Sequence, residues 1–241
     1  MDKNFTYDPN AEFPWQYKYE HMAVTIDCVI FTYKDKALRV LLVQRGIEPH
    51  KGEWAFPGGF LRNTETAEQG ALRELREETS LVPATSLVQF GVYSDPARDP
   101  RERVITIGWY AIVKPTNVIG GDDADKAAWF PVNALPPLAF DHEVILKDAL
   151  ERLKRDMYFQ PVGFDLLDKE FTMPDLHCLY KAILGRDFDR RNFQRKILAS
   201  GILEATDKQQ RYYRMGREPA LFRLLPEQYW EMKKDENKTE F

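Results

Sequence analysis

The sequence has few cysteines: Cys28 and Cys178 are the only two among 241 residues. They lie far apart along the chain, and neither has a second Cys or a His at the spacing of a metal-binding motif. A disulfide framework needs several paired cysteines, and a structural zinc site needs four Cys or His ligands. The sequence therefore argues against both classes of small stapled domain, and we expect two buried or inert thiols.

Long apolar runs are also absent. No stretch approaches the ~20 consecutive apolar residues that a helix needs to cross a bilayer. The N-terminal sequence MDKNFTYDPNAEFPWQYKYE is acidic and aromatic, without the basic and apolar regions of a secretory signal peptide. With 44% hydrophobic and 30% charged residues, the composition is typical of a globular protein with a substantial core. We expect a soluble, cytoplasmic protein without a membrane partner.

Charge is distributed unevenly along the chain. Residues 181–223 contain eleven Lys and Arg but only five Asp and Glu, a net charge of +6, whereas the whole chain carries -4. The rest of the chain therefore carries -10. Such segregation indicates two domains with different partners, and the basic domain is a candidate for binding a phosphate backbone.

The first part of the chain alternates strand and helix patterns. Residues 22–45 read as two β-branched strands joined by a polar turn at residues 34–36. Residues 64–79 have helical periodicity, and residues 142–157 form a second, strongly periodic helix. Three more strand patterns lie between the two helices: SLVQFGVYS, RVITIGWYAIV and AAWFPV. This order predicts an α/β domain.

A connector rich in turn residues follows the second helix, so we place the domain boundary near Gln160. The α/β domain then covers residues 1–160, including an N-terminal extension at 1–20. A second domain covers residues 161–230, and a charged tail covers 231–241.

The second domain has the pattern of a winged helix-turn-helix. Residues 174–184 and 189–200 read as helices joined by a tight turn with Gly185, and a strand ribbon follows. Such a domain places its second helix in the DNA major groove and its wing on the backbone. The predicted DNA-binding residues are Arg190, Arg191, Asn192, Gln194, Arg195 and Lys196 on the helix, and Arg211, Arg214 and Arg217 on the wing. Phe193, Ile197 and Leu198 are expected in the core. The alternative is a basic domain that binds protein.

The stretch GGFLRNTETAEQGALRELREETSL, residues 58–81, contains carboxylates at helical spacing. Glu74 lies three residues from Glu77 and four from Glu78, so on a helix their side chains converge on one face. Clustered carboxylates repel one another, and Arg73 alone cannot neutralise three acids. Mg²⁺ or Mn²⁺ suits such oxygen ligands and leaves positions for substrate phosphates. The predicted metal site consists of Glu74, Glu77, Glu78 and Gly58.

The order of these residues resembles the Nudix box, the loop-helix-loop motif that binds metal in Nudix hydrolases. Every position of the motif is matched except the last Gly, which is Ser80 in this chain. That Gly usually serves a left-handed turn, so a Ser there costs ~1 kcal/mol and affects no ligand. The resemblance implies an α/β/α sandwich with a mixed sheet for residues 20–158, and metal-assisted attack of water on a diphosphate. The implied catalytic residues are Arg73, Glu77 and Glu78.

Segments on either side of the box resemble those of Nudix proteins that act on ADP-ribose or related nucleotide sugars. Arginines in these segments can hold phosphates, and aromatic rings can stack on a base. The predicted ligand-binding residues are Arg45, Trp54, Phe56, Arg98, Arg101, Arg103 and Phe140. Each has a structural alternative, since loop arginines are often solvated and strand aromatics often belong to the core. His142 can simply cap its helix.

The whole chain resembles the Nudix-type bacterial transcription regulators, such as those that control NAD metabolism and arabinose use. The resemblance rests on the order of the two domains and on the segments LAFDH, PVGFDLL, FTMPDLHCLYKAILG and DRRNFQRKILASGILE. It implies a ligand-sensing Nudix domain, a double-stranded DNA operator and a homodimer.

Two functions are compatible with these features. The first is a ligand-responsive DNA-binding regulator whose Nudix domain binds an ADP-ribose-like nucleoside diphosphate or nucleotide sugar, with or without Mg²⁺-dependent hydrolysis. The second is a metabolic Nudix hydrolase, similar to an ADP-ribose pyrophosphatase, with an accessory assembly domain. The basic second helix favours the regulator, and the complete set of glutamates favours the hydrolase.

Overall fold

The computed structural model describes residues 20–81, 83, 87–118, 120, 124–159, 161–209 and 219–234. Within these ranges the first domain contains seven strands and two α-helices. The strands are β1 (Ala23–Lys34), β2 (Ala37–Arg45), β3 (Trp54–Ala55), β4 (Gly58–Phe60), β5 (Val88–Tyr93), β6 (Val104–Ile112) and β7 (Ala124–Pro131). The helices are α1 (Ala67–Thr79) and α2 (His142–Phe159). No helix in the described ranges is long and apolar enough to cross a bilayer.

Strand β1 is the centre of a mixed sheet. It runs parallel to β6 and antiparallel to β2 and β4. The strand order is β3-β2-β1-β6-β5, with β4 paired to β1 and β7 paired to β2. The turn between β1 and β2 contains Asp35 and Lys36, whose φ angles of 54° and 61° are those of a two-residue hairpin turn. The predicted hairpin is confirmed, whereas the short strands β3 and β4 were not predicted.

Helices cover both faces of this sheet, which explains why β1 is buried without interruption from Thr25 to Thr32. On one face Ile26 belongs to the same buried cluster as Leu75 of α1. On the other face Phe31 belongs to the same cluster as Ile145 of α2. Alternate residues of β1 thus face opposite helices, as the period of a strand requires. The predicted α/β/α sandwich with a mixed sheet is confirmed.

The second domain is a winged helix-turn-helix, as predicted. Its described elements are a 3-10 helix (Pro161–Leu166), β8 (Phe171–Thr172), α3 (Met173–Leu184), α4 (Arg190–Ala199), β9 (Leu203–Gln209), β10 (Ala220–Leu224) and α5 (Pro226–Lys234). The three strands form a small sheet in the order β8-β10-β9. Neither β8 nor α5 was predicted, and α5 includes residues 231–234, which were expected to belong to the charged tail.

Several predictions from the sequence fall outside the described residues. They concern the N-terminal extension up to residue 19, the boundary at Gln160, the tail from residue 235, and the wing residues Arg211, Arg214 and Arg217.

The apolar core continues from the Nudix-like sandwich into the winged helix domain. Leu153 and Met157, on the last turns of α2, belong to one buried cluster with Phe164 of the 3-10 helix and with Leu176 and Leu179 of α3. The two domains are therefore joined by a packed apolar interface as well as by the chain.

Candidate functional site

Helix α1 carries the carboxylates of residues 58–81. It begins at Thr66, whose hydroxyl accepts the Gln69 N–H while the Gln69 side chain accepts the Thr66 N–H, a complete capping box. Leu75 lies on its buried face against the sheet. The helix ends at Ser80, which has left-handed backbone angles (φ 56°, ψ 15°) and donates its N–H to the Arg76 carbonyl at 2.9 Å. The sequence predicted this conformation from the position of the missing Gly.

Arg73 binds three of the glutamates. Its guanidinium donates to both carboxylate oxygens of Glu65, to Oε1 of Glu74 at 2.6 Å, and to Oε2 of Glu77 at 3.0 Å. Its Nη2 also donates to the Phe60 carbonyl at 3.2 Å. Because a planar guanidinium has five N–H donors, one arginine can orient several carboxylates at once. Arg73 lies four residues before Glu77 on α1, and this spacing brings the two side chains together.

Glu78 lies apart from Arg73, in a more buried position. The Gly58 N–H donates to its Oε2 at 2.9 Å. Burial raises the pKa of Glu78 to about 8, and the neighbouring charges of Glu74 and Asp27 act in the same direction. Burial also raises the pKa of Glu74, although Arg73 opposes the shift. Burial thus disfavours the charged forms of Glu74 and Glu78. A bound cation would stabilise these charged forms and would therefore be favoured at this site.

Gly58 and Gly59 allow β4 to approach both β1 and α1 closely. A Cβ on Gly58 would lie 2.0 Å from the Ile26 carbonyl oxygen, and a Cβ on Gly59 would lie 2.5 Å from Oε1 of Glu74. Neither distance is possible for a real side chain. Gly58 is therefore required by its contact with the backbone of β1, and a side chain at position 59 would displace the Glu74 carboxylate from its present position.

The oxygen donors of this site fit a hard divalent cation, and Nudix hydrolases generally use divalent metal ions. However, no three His, Cys, Asp or Glu side chains of the described residues are arranged to hold one ion together. The reason is that Glu74 and Glu77 turn to Arg73 while Glu78 turns to Gly58. These carboxylates would have to rotate away from their present partners to share an ion.

The carboxylates form one wall of a cavity of about 780 Å³. Cations and aromatic rings line the same cavity: the guanidinium of Arg45 lies 4.9 Å from the Phe140 ring centre, and that of Arg101 lies 5.8 Å from Phe140 and 5.1 Å from Phe60. Asp99 binds Arg101 through two oxygens. Nη2 of Arg45 is buried without a hydrogen-bond partner in the described structure. Burial and the charge of Arg101 both lower the pKa of Arg45.

A buried polar cluster lies on the floor of the cavity. Asp27 of β1 accepts a hydrogen bond from the Thr106 hydroxyl at 2.7 Å, and its other oxygen lies 3.4 Å from Nε2 of His142. Arg98 binds Asp141 through two hydrogen bonds, at 2.7 and 3.0 Å, and approaches Asp27 at 3.6 Å. Burial raises the pKa of Asp27, but His142, Thr106 and Arg98 outweigh it, and the net pKa is lowered.

Five of the seven predicted ligand-binding residues line the cavity. They are Arg45, Phe56, Arg98, Arg101 and Phe140. The part of the wall that the structure describes does not include Trp54, which packs on Phe130, or Arg103, which donates to the Ser94 and Asp95 carbonyls.

The sequence did not identify Asp27 or Asp99 as site residues, and His142 was expected only to cap its helix. All three line the cavity. Asp27 lies within a strand of apolar residues, where a buried acid is uncommon, and this was a signal in the sequence.

Helix α4 presents the predicted DNA-binding residues to solvent. All six of them are exposed: Arg190, Arg191, Asn192, Gln194, Arg195 and Lys196. Phe193 and Ile197 are buried, as predicted. Leu198 is 40% exposed, so the prediction that it lies in the core is wrong. Asp189 caps the helix by accepting the Asn192 N–H, and the Asn192 side chain accepts from Arg195 at 2.8 Å. His177 of α3 bonds the Phe188 carbonyl and so holds the turn before α4.

The fold and the box define the class of this protein: the NUDIX domain family matches residues 21–153. The family described as the NrtR DNA-binding winged helix domain matches residues 163–224. The chain therefore belongs to the Nudix-domain transcription regulators of the NrtR type, and the resemblance found in the sequence is confirmed.

Known relatives have one or both of these domains. The ADPR responsive transcriptional repressor NtrR of Acinetobacter baylyi is 30% identical over 217 residues, which are 88% of this chain and 85% of the relative. An ADP-ribose pyrophosphatase of Methanocaldococcus jannaschii is 45% identical over 130 residues, 54% of this chain and 74% of that enzyme. The crystal structure of Shewanella oneidensis NrtR complexed with a 27mer DNA is similar, with a TM-score of 0.70 and 32% identity over 86% of this chain and 95% of that one.

Proposed function

We propose that the chain is a cytoplasmic, ligand-responsive transcription regulator that binds ADP-ribose in its Nudix cavity and operator DNA through α4. The observation that carries the proposal is that one chain joins a cavity lined by carboxylates, arginines and aromatic rings to a winged helix with an exposed basic face. Two relatives match this chain across both domains. The one from Acinetobacter baylyi is named an ADPR responsive transcriptional repressor, and the one from Shewanella oneidensis was crystallised with a 27mer DNA.

The chemistry of the cavity suits ADP-ribose. A volume of about 780 Å³ is in the range of small-molecule pockets. The unpartnered Nη2 of Arg45 is a donor for a phosphate oxygen, and Arg101 adds a second positive charge to the same cavity. The ring of Phe140, which is partly exposed and lines the cavity, offers a face for an adenine. In the same cavity Glu74, Glu77 and Glu78 would hold Mg²⁺ or Mn²⁺, which would help to neutralise a bound diphosphate.

The surface of α4 suits DNA. Its ten residues contain four cations and no acid, and its apolar residues Phe193 and Ile197 fix which face is turned outward. Arg and Asn side chains match the hydrogen-bonding edges of guanine and adenine in the major groove. The pair formed by Asn192 and Arg195 already holds two such side chains in one orientation. Arg190, Arg191 and Lys196 would then bind bases or phosphates on either side.

DNA affinity across a salt series tests the proposal. A fragment from upstream of the chain's own gene and a scrambled fragment are titrated by fluorescence anisotropy, with and without ADP-ribose. Arg191→Ala and Arg195→Ala are compared with Lys147→Ala, which removes an exposed cation from α2 in the Nudix domain. A base-reading arginine costs ~1–3 kcal/mol and relaxes preference at one position, whereas a phosphate-binding one weakens all sequences and lowers the salt slope by about one.

Three results would overturn the proposal. They are equal and weak binding of both fragments by the unchanged protein, affinities of the α4 variants that equal that of Lys147→Ala, and no binding of ADP-ribose in calorimetry. If the protein is a homodimer, the operator should be a palindrome with half-sites ~10 or ~20 base pairs apart, which footprinting would show.

Hydrolysis is the second candidate function, because the glutamates and Arg73 of the box are all present and an ADP-ribose pyrophosphatase is 45% identical over the Nudix part. If the protein hydrolyses ADP-ribose, Glu77→Gln and Glu78→Gln should each lower the Mg²⁺-dependent rate by ~10² or more. Unchanged rates in both variants would exclude these roles. A protein that binds ADP-ribose and never cleaves it is a sensor alone.

A further inference from the structure

Helix α2 begins in the floor of the ligand cavity. Its first residue, His142, is 3% exposed and lines the cavity, although it lies outside the Nudix box. Nδ1 of His142 accepts the Phe56 N–H at 3.0 Å, so in the neutral ring the proton is on Nε2, which lies 3.4 Å from Oδ1 of Asp27. The imidazole is thus held between the loop before β4 and strand β1, and it does not cap its own helix through Nδ1.

Phe56 and His142 also contact each other through their rings. The two rings are stacked with centres 4.9 Å apart and an interplanar angle of 11°. Because Phe56 is 2% exposed and His142 is 3% exposed, this buried pair fixes the loop before β4 to the first residue of α2. Because the Phe56 N–H is bound to the same imidazole, a shift of that loop cannot occur without moving His142.

Asp141, the residue before His142, is also bound by a side chain that lines the cavity. Asp141 receives two hydrogen bonds from Arg98, whose side chain is 4% exposed and lines the cavity. An anionic group that enters the cavity offers Arg98 a second acceptor and competes with Asp141 for it. Occupancy of the cavity therefore acts on two consecutive residues at the start of α2.

The other end of α2 packs against the winged helix domain. Met157, on its last turns, contacts the 3-10 helix, because a Cβ on Gly163 would lie only 2.8 Å from the Met157 methyl group. The same Cβ would lie 3.7 Å from a methyl group of Leu179, on α3. Leu153 and Met157 share one buried cluster with Leu176 and with Phe193 of α4. An 18-residue helix is about 27 Å long, so α2 spans the distance from the cavity to the winged helix domain.

We propose that His142 is a positioning residue that fixes α2 to Asp27, and that α2 transmits occupancy of the cavity to the winged helix. The proposal rests on the proposed function, since it assigns the route between its two binding sites. It requires that α2 has one position with the cavity empty and another with it filled.

The test measures the coupling factor, the ratio of the DNA dissociation constants at saturating ADP-ribose and without it. Two variants of His142 separate its two contacts: His142→Asn keeps an acceptor for the Phe56 N–H, and His142→Gln keeps an N–H at the position that faces Asp27. Val144→Ala is the matched control, because Val144 is 54% exposed on the first turn of the same helix. ADP-ribose affinity and thermal stability are measured for each protein.

The unchanged protein should have a coupling factor on the order of 10, within the usual range for allosteric proteins. His142→Asn should reduce the factor below about 2 at saturating ligand, whereas His142→Gln and Val144→Ala should stay within about threefold of the unchanged protein. A variant that only destabilises the fold would bind both ADP-ribose and DNA more weakly, but its coupling factor would not change. Full coupling in His142→Asn would overturn the proposal, and so would equal losses in the Asn and Gln variants.

Hydrogen exchange on the unchanged protein gives an independent measurement if His142→Asn does not fold. Addition of ADP-ribose should change the exchange of the amides of residues 145–157 as well as those around the cavity. Unchanged exchange along α2 would overturn the proposal. If the unchanged protein couples ADP-ribose to DNA binding and His142→Asn couples them equally well, this inference alone is overturned. A coupling factor of one in an unchanged protein that binds both would overturn the inference and the ligand response of the proposed function, but not its two binding sites. A protein that binds neither overturns the proposed function, and the inference with it.

Discussion

Glu65 and Glu78 belong to the same motif, yet their pKa values shift in opposite directions. Hydrogen bonds from Arg73 lower the pKa of Glu65 to about 2, against the smaller effect of its burial. Burial raises the pKa of Glu78 to about 8, and one backbone N–H from Gly58 only partly opposes it. Arg73 donates to Glu65, Glu74 and Glu77 but not to Glu78. Burial and the guanidinium of Arg73 thus act in opposite directions on these acids: the hydrogen bonds dominate at Glu65, and burial dominates at Glu78.

This difference predicts how Glu78 affects stability when metal is removed. A folded-state pKa raised above the usual value means that the folded protein holds the proton more tightly, so stability is greatest below about pH 4.5 and falls as the pH rises toward 8. Glu78→Gln keeps an acceptor for the Gly58 N–H and removes the charge. In chelator at pH 8 the variant should exceed the unchanged protein in free energy of unfolding by roughly 1–3 kcal/mol.

Urea unfolding between pH 5.5 and 8.5 measures this difference. It should grow with pH, and Glu68→Gln, an exposed glutamate in the first turn of α1, should show no such growth. A difference between Glu78→Gln and the unchanged protein that stays constant over this range would contradict the assignment of the raised pKa to Glu78.

Two helices end on left-handed residues, but with different amino acids. Helix α1 ends at Ser80 (φ 56°), and α3 ends at Gly185 (φ 68°). Each donates its N–H to the carbonyl four residues earlier, Arg76 in α1 and Lys181 in α3. Because a Cβ is disfavoured in this conformation, α1 tolerates a strain that α3 avoids.

Substitutions at the two positions should have opposite signs. Ser80→Gly should stabilise the protein by up to ~1 kcal/mol, and Gly185→Ser should destabilise it by ~1 kcal/mol. A Cβ added to Gly185 would meet no atom of the described residues within 4 Å, so backbone strain alone accounts for the loss. Chemical unfolding of the two variants measures both effects. If Ser80→Gly were destabilising, the hydroxyl of Ser80 would have a role that the backbone argument omits.

At the scale of the whole molecule, the two domains share one apolar cluster. Buried residues of α2, the 3-10 helix, α3 and α4 all belong to it. If either domain is produced alone, the part of its core that packs on the other domain becomes exposed to solvent. An isolated winged helix domain is therefore a poor reagent for DNA-binding measurements, and the full chain is preferable.

The shared cluster predicts that the full chain unfolds in a single transition. Leu179→Ala, at a fully buried position of α3, should lower the free energy of the entire transition by about 2–5 kcal/mol. Leu198→Ala, at a 40% exposed position of α4, should cost well under half of that. Calorimetry would contradict the prediction if it resolved two separate transitions and only one of them moved in Leu179→Ala.

The sequence by itself determined the features that depend on local spacing. The hairpin at Asp35 and Lys36, the helices α1, α2, α3 and α4, and the left-handed Ser80 follow from periodicity and turn chemistry, which act within a few residues. The Nudix box was recognisable for the same reason, since its glutamates and Arg73 lie within a single loop and helix. The two-domain order and the exposed basic face of α4 were also predicted.

Only the tertiary structure decided what depends on contacts between distant segments. The strands β3 and β8 are two residues long, too short for any pattern, and they exist because neighbouring strands pair with them. His142 and Asp27 are 115 positions apart, so no spacing could relate them, and they meet because α2 begins beside the centre of the sheet. Trp54 and Arg103 had the same residue types as the cavity arginines and aromatics. Trp54 of β3 packs on Phe130, and Arg103, in the loop before β6, donates to backbone carbonyls, because the backbone around a residue sets the direction of its side chain.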